Sequence, residues 1–203
     1  MNKIITFIAL LFALTAVAQP MKSIKEYGVL PSNSPEQNRV NLQRAIDVAS
    51  ASGVALYVEP VAGGYPVAAG IILKQNVSLI GAHGPVGRGT KDPERQAPVG
   101  SLFVITDSSA PFITVESATQ LRGLQFYYPE QSHNDPTKII VYPPTIKVSQ
   151  TKKVEGVTLS SLTFYGEYMA MDFNASRNNP CEQILFEHCY GYPLSGEFIR
   201  IDY

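Results

Sequence analysis

The chain has 203 residues, a formal net charge of −1 and only 16% charged residues. That near-neutral balance removes the electrostatic case for nucleic acid or an anionic membrane surface as a partner. The length allows one domain with a proper core, and 15 Gly with 15 Pro suit a chain of many turns.

Residues 1–18 read as a signal peptide. Lys3 supplies a positive start, residues 4–14 an apolar stretch, and Ala16-Val17-Ala18 a small-residue cleavage site. Cleavage leaves Gln19 at the new N-terminus of a secreted or periplasmic chain. No later segment approaches the roughly 20 apolar residues of a spanning helix, so the mature chain, residues 19–203, is expected to have no membrane contact.

Residues 24–28 are expected as a short strand. A helix follows: Ser34 caps it, Pro35 fits its first position, Gln37 can close a capping box, and Gly53 ends it. Leu42, Ala45, Ile46 and Ala49 fall on one helical face. Strands are then predicted at 54–58, 71–73 and 77–81, with the helix and first coils together occupying residues 24–84. A helix at this place would cover the apolar edge of the first coil, as terminal repeats require.

Several of these residues carry a resemblance. Tyr27-Gly28, the run Gln43-Arg44-Ala45-Ile46-Asp47, Gly53, Tyr57-Val58-Glu59-Pro60, Gly64-Tyr65 and Val77-Ser78-Leu79-Ile80-Gly81 resemble the N-terminal segment of the pectate lyase superfamily. Members of that superfamily are right-handed parallel β-helices, among them relatives of glycoside hydrolase family 28 and phage tailspikes. The resemblance covers residues 24–81 by motif and the remainder by repeat character alone. It implies the fold and an activity on polysaccharide. One departure stands out: where the family carries Gly-Asp-Gly-x-Thr-Asp-Asp before the helix, this chain has Ser32-Asn33-Ser34-Pro35-Glu36-Gln37-Asn38. The capping chemistry survives there and the carboxylates do not. The same fold hosts lyases, hydrolases, epimerases and adhesive shafts, so activity must be argued from a site.

Residues 84–100 form a polar loop whose Thr90-Lys91 runs in the reverse order to a phosphate-binding Lys-Ser/Thr, so an ordinary connection between coils is expected. Residues 128–142 make a second excursion, of the kind that walls a groove on a rigid scaffold.

Residues 112–126 and 145–159 then repeat one pattern at an offset of 33, matching Ile113 with Ile146, Val115 with Val148, Leu121 with Val154, Gly123 with Gly156 and Phe126 with Leu159. Self-similarity at such a period, with alternating strands inside it, marks a β-solenoid. Hence the expected fold class is all-β, a right-handed parallel β-helix with an N-terminal capping α-helix. The strand pattern runs on to Tyr203, which reads as a C-terminally incomplete helix whose uncapped end invites a homo-oligomer.

Cys181 and Cys189 flank seven residues of predicted strand, which at about 3.3 Å each separates them beyond disulfide reach, so buried free thiols are expected. His188 alternates with Ile184 and Phe186 and reads as an inward core histidine; His83 and His133 fall in loops.

An echo at an offset of 30, residues 166–173 in 196–203, yields the candidate site. By alternation Met169, Met171 and Phe173 face inward, leaving Tyr168, Ala170 and Asp172 outside, with Phe198, Arg200 and Asp202 stacked over them. Asp172 and Asp202 with Arg200 are the candidate catalytic group. Tyr168 and Phe198 are the candidate sugar-binding shelf. Paired carboxylates suit Ca²⁺ or acid–base work on a glycosidic bond, and the bland alternative is a surface ladder in which Arg200 neutralises both. The expected function is lyase or hydrolase action on an acidic polysaccharide. The rivals are a non-catalytic polysaccharide-binding or adhesive module, and an inactive fragment of a longer enzyme.

Overall fold

The computed structural model describes residues 21–82, 100–132 and 134–201. The expected signal peptide, most of the 84–100 loop, His83, His133, Asp202 and Tyr203 lie outside the described residues.

Among the described residues fifteen strands form three parallel sheets. The first sheet holds β1 (Lys22–Ser23), β2 (Leu56–Val58), β5 (Ser78–Gly81), β8 (Gln120–Arg122), β11 (Val154–Ser160) and β14 (Cys181–Glu187). The second holds β3 (Tyr65–Pro66), β6 (Ser101–Val104), β9 (Leu124–Tyr127) and β12 (Thr163–Tyr165). The third holds β4 (Ile71–Leu73), β7 (Ile113–Val115), β10 (Ile146–Val148), β13 (Met171–Asp172) and β15 (Ile199–Arg200). From β2 to β14 successive strands visit the three sheets in turn, so the chain winds as a parallel β-helix. Parallel pairing needs a crossover between neighbours, and here the other two sheets supply it.

Alternation along each strand puts one residue per coil at the same inward spot. In the first sheet Leu56, Leu79, Leu121 and Leu159 stack, all at 0% exposure. Ile71, Ile113 and Ile146 do the same in the third, followed by Met171. The second sheet contributes an aromatic column of Tyr65, Phe103, Phe126 and Phe164, with ring centroids 6.5, 6.1 and 5.1 Å apart in succession. Each such side chain contributes roughly 1.5–3 kcal/mol by leaving water.

Helix α1 (Pro35–Ser52) covers the first coils, burying Leu42, Ala45, Ile46 and Ala49. Ser34 accepts the Gln37 N–H, and Gly53 closes the other end at φ 70°. The Gln37 amide reaches Asn41 rather than returning to the cap. Buried Asn38 pins the helix from both sides: its Oδ1 accepts from Leu30 N–H, and its Nδ2 donates to the Leu30 and Pro66 carbonyls. Residues 24–28 are a 3-10 turn, not the expected strand, because Ser23 and Glu26 form a capping box and Gly28 ends the turn at φ 85°.

The repeat needs correcting in one respect. The offset of 33 holds for β7 over β10, yet β8 over β11 and β9 over β12 stack at 38, placing Leu121 over Leu159 and Phe126 over Phe164. Nine residues, 149–157, separate Val148 from Thr158 where four, 116–119, separate Val115 from Gln120 one coil earlier, and the added length falls between Val148 and the start of β11 at Val154. Gly156 therefore does not stack on Gly123. It joins a column of left-handed residues with Asn76, Ala118 and Gln183 at φ 63°, 54° and 57°. Gly123 heads a second column with Ser161 and His188 at φ 66°, 54° and 52°. His188 sits in that column, exposed, rather than facing the core, because the chain turns one residue after β14. The two cysteines are free, as expected, but only half-buried.

Candidate functional site

Along the outward face of the third sheet the register sets Ile72, Thr114, Lys147, Asp172 and Arg200 in one line, one residue per coil. Stacked strands lie about 4.8 Å apart. Asp172 thus has a cation on the coil before it and another on the coil after it.

This differs from the ladder expected at an offset of 30. The observed offset is 28: Met171 pairs with Ile199 and Asp172 with Arg200, tied by Phe173 N–H to the Arg200 carbonyl at 2.8 Å. A shift of two residues preserves the face, so Asp172 and Arg200 remain outward as predicted. It replaces carboxylate over carboxylate with guanidinium over carboxylate. Ala170 and Phe198 turn inward because β13 and β15 begin only at 171 and 199, leaving those two residues at the corner. Ala170 is fully buried, and the Phe198 ring meets Phe164 edge-on at 5.7 Å.

Asp172 is 8% exposed, and its Oδ1 accepts the Asn174 N–H at 3.0 Å, which fixes the carboxyl to the strand end. Arg200 is exposed and its guanidinium donates to Glu197 Oε2, the Nε contact measuring 3.1 Å. Both residues line an open groove of about 370 Å³ whose other walls are Val141, Tyr142, Pro143, Pro144, Tyr168 and Met169. Tyr168 lines this groove, without the Phe198 ring that was expected to stack over it. Phe198 does not line the groove.

The far wall comes from the end of the excursion after β9. Tyr142 lies against Tyr128 with ring centroids 4.7 Å apart, and Tyr128 Oη hydrogen-bonds Thr145 Oγ1 at 2.7 Å. Burial raises the Tyr142 phenol above its ordinary pKa, with Glu130 adding to the shift, so Tyr142 stays neutral. The sequence marked residues 128–142 as a groove wall but gave no signal for Tyr142 itself. The paired prolines 143 and 144, which hold the backbone extended beside the groove, were the available clue.

Two aromatic rings, a guanidinium and a fixed carboxylate can hold a ring-shaped polar ligand: rings against its apolar faces, charges on its acidic and hydroxyl groups. Among the described residues, no three His, Cys, Asp or Glu side chains cluster as a metal site.

No protein-family model and no curated protein matches the chain. A crystal structure of a candidate glycosyl hydrolase from Parabacteroides merdae is similar at a TM-score of 0.42 and 12% identity, over 85% of this chain and 96% of that one.

Proposed function

We propose that this is an exported protein that binds an acidic polysaccharide across the outer face of its third sheet. The observation that carries the reading is the Lys147, Asp172, Arg200 line beside the Tyr142 and Tyr168 groove. Lys147 and Arg200 flank one carboxylate, and Arg200 also holds Glu197, so an acidic sugar would compete with the Glu197 carboxylate for the guanidinium. Sugar carboxylates meet Lys147 or Arg200, and the rings take the apolar faces of neighbouring sugars. A chain threading along the coil axis would meet these groups in succession.

Cleavage by lyase or hydrolase chemistry is a second reading, with Asp172, Arg200 and Asp202 as its machinery. The fixed orientation of the Asp172 carboxyl favours it. Hydrolysis calls for two carboxyl groups flanking the bond, and the groove presents one among the described residues.

The test is calorimetric titration of acidic and neutral oligosaccharides of equal length. Arg200→Ala should weaken acidic binding by about 1.5–3 kcal/mol, the worth of a charged hydrogen bond, and leave neutral binding unchanged. Equal losses for both ligands would sink the acidic reading. Ultraviolet absorbance of unsaturated uronides, or release of reducing ends, separates lyase from hydrolase and both from binding alone. Added Ca²⁺ should leave the melting temperature within about 1 °C of its starting value, since cations already flank Asp172.

A further inference from the structure

Glu167 is fully buried, and neither carboxyl oxygen makes a hydrogen bond of full geometry. It sits at the corner before β13, one residue from Tyr168. Across it runs a strap, residues 190–198, anchored at its start by Phe164 N–H to the Tyr190 carbonyl at 2.8 Å. The strap is tied down midway by Leu194 N–H to the Glu167 carbonyl at 3.2 Å and by Ser195 N–H to the Tyr168 carbonyl at 2.8 Å. The fit is tight. A Cβ placed on Gly191 would lie 2.4 Å from Glu167 Oε1 and 2.6 Å from the Phe198 ring. Two residues beyond the strap is Arg200.

We infer that Glu167 is a positioning residue for Arg200: as a neutral carboxyl it lets the strap close and present the guanidinium to the groove, and as a carboxylate it releases the strap. An unpaired buried charge against a glycine backbone and an aromatic edge is costly, and opening the strap to water relieves that cost. This deepens the acidic-glycan reading and rests on it for its last step.

Burial pushes the Glu167 carboxyl up to about 7, offset in part by the nearby N–H groups of Glu167 itself and Tyr192. The titratable groups of the corner and the strap are Tyr128 at the end of β9, Tyr168 beside Glu167, Cys189 just before the strap, Tyr190 and Tyr192 on it, and Glu197, on the strap, paired with Arg200. Burial raises the Tyr128 phenol and, more weakly, the Cys189 thiol, so both stay uncharged where Glu167 titrates. In an open strap the carboxyl returns to its ordinary 4.5. Moving from about pH 5.5 to about pH 8.5 then favours the open strap by roughly thirty-fold.

The experiment measures hydrogen exchange at the Leu194 and Ser195 amides at both pH values, corrected for intrinsic rates, alongside affinity for an acidic oligosaccharide. In the parent chain, protection at both amides should fall towards thirty-fold and acidic binding should weaken at the higher pH. Glu167→Gln keeps the shape without the charge, so both readouts should become flat with pH. Gly191→Ala should lower protection and binding at both pH values. Protection that ignores pH in the parent chain, or a pH response that survives Glu167→Gln, overturns the proposal. So does protection that responds while acidic binding does not. If no acidic oligosaccharide binds at either pH, the functional reading falls, and the exchange data still decide whether Glu167 governs the strap.

Discussion

The inward columns meet different surroundings at the two ends of the described coils. Beside α1, Leu56 and Ile71 are fully buried, because the helix covers the coils they belong to. At β14 and β15 the same columns end in Phe186 and Ile199, which are only half-buried, and Ile201 beyond them is 63% exposed. The inward parity of β8 continues in β14, where Ile184 and Phe186 take the core side and Leu185 the outer side. A period of two decides which face a side chain takes; whether that face is dry depends on what lies on the next layer. α1 supplies that layer with Leu42, Ala45, Ile46 and Ala49, whereas Ile184 and Phe186 rest on Val157 and Leu159 from one side.

The sharpest way to break this comparison is Ile46→Asp. It should cost several kcal/mol by pressing an unpaired charge onto the first coil, and thermal melting reads it directly. Arg44→Ala, two residues away on the exposed side, loses a hydrogen bond to the Tyr27 carbonyl and should cost about 0.5–1.5 kcal/mol. Similar shifts for the two would detach α1 from the core. A finer test compares two residues of one column. Leu159→Ala should cost about 2–5 kcal/mol, and Phe186→Ala less than half as much despite its larger ring. The reverse order would show that the β14 end is as well packed as the middle.

A pH test concerns Glu167, fully buried at the corner before β13. Glu167 has a native value of about 7 against an ordinary 4.5, so the unfolded chain loses this proton first. Its contribution to stability is full below 4.5 and declines as pH rises towards 7. The loss amounts to at most about 3 kcal/mol, and release of the strap limits it further. Melts across that range should therefore fall with pH in the parent chain and be flatter in Glu167→Gln.

Much of the fold was legible because burial in a β-helix follows local alternation. Leu121, Phe126, Ile146 and Leu159 announce their faces with no knowledge of their partners. Partner choice was legible only where turns keep their length. The Gly123 and Gly156 match looked like one turn seen twice, yet the two glycines belong to separate columns, and Ala118, Ser161 and Gln183 in those columns have side chains that give no sign of a left-handed backbone. At the candidate site, parity gave the outward face of Asp172 and Arg200, while the partner on the next coil was misplaced by two residues. Glu167 left no trace at all, since its burial comes from a strap more than twenty residues later.

Those left-handed columns separate two properties that chains of this length usually share. Each bend is set by backbone conformation at a fixed place on the coil, so residues added between bends lengthen a turn without shifting the phase of the strand that follows. The extra residues between Val148 and β11 are one such addition, and β11 still falls into line with β8 and β14. The excursion that brings Tyr142 to the groove lies in another interval of this kind, between β9 and β10. Descendants of this sequence can lengthen or shorten that excursion, and so exchange one groove wall for another, while Lys147, Asp172 and Arg200 keep their spacing. Ligand preference is in this sense free to diverge faster than the frame that displays it.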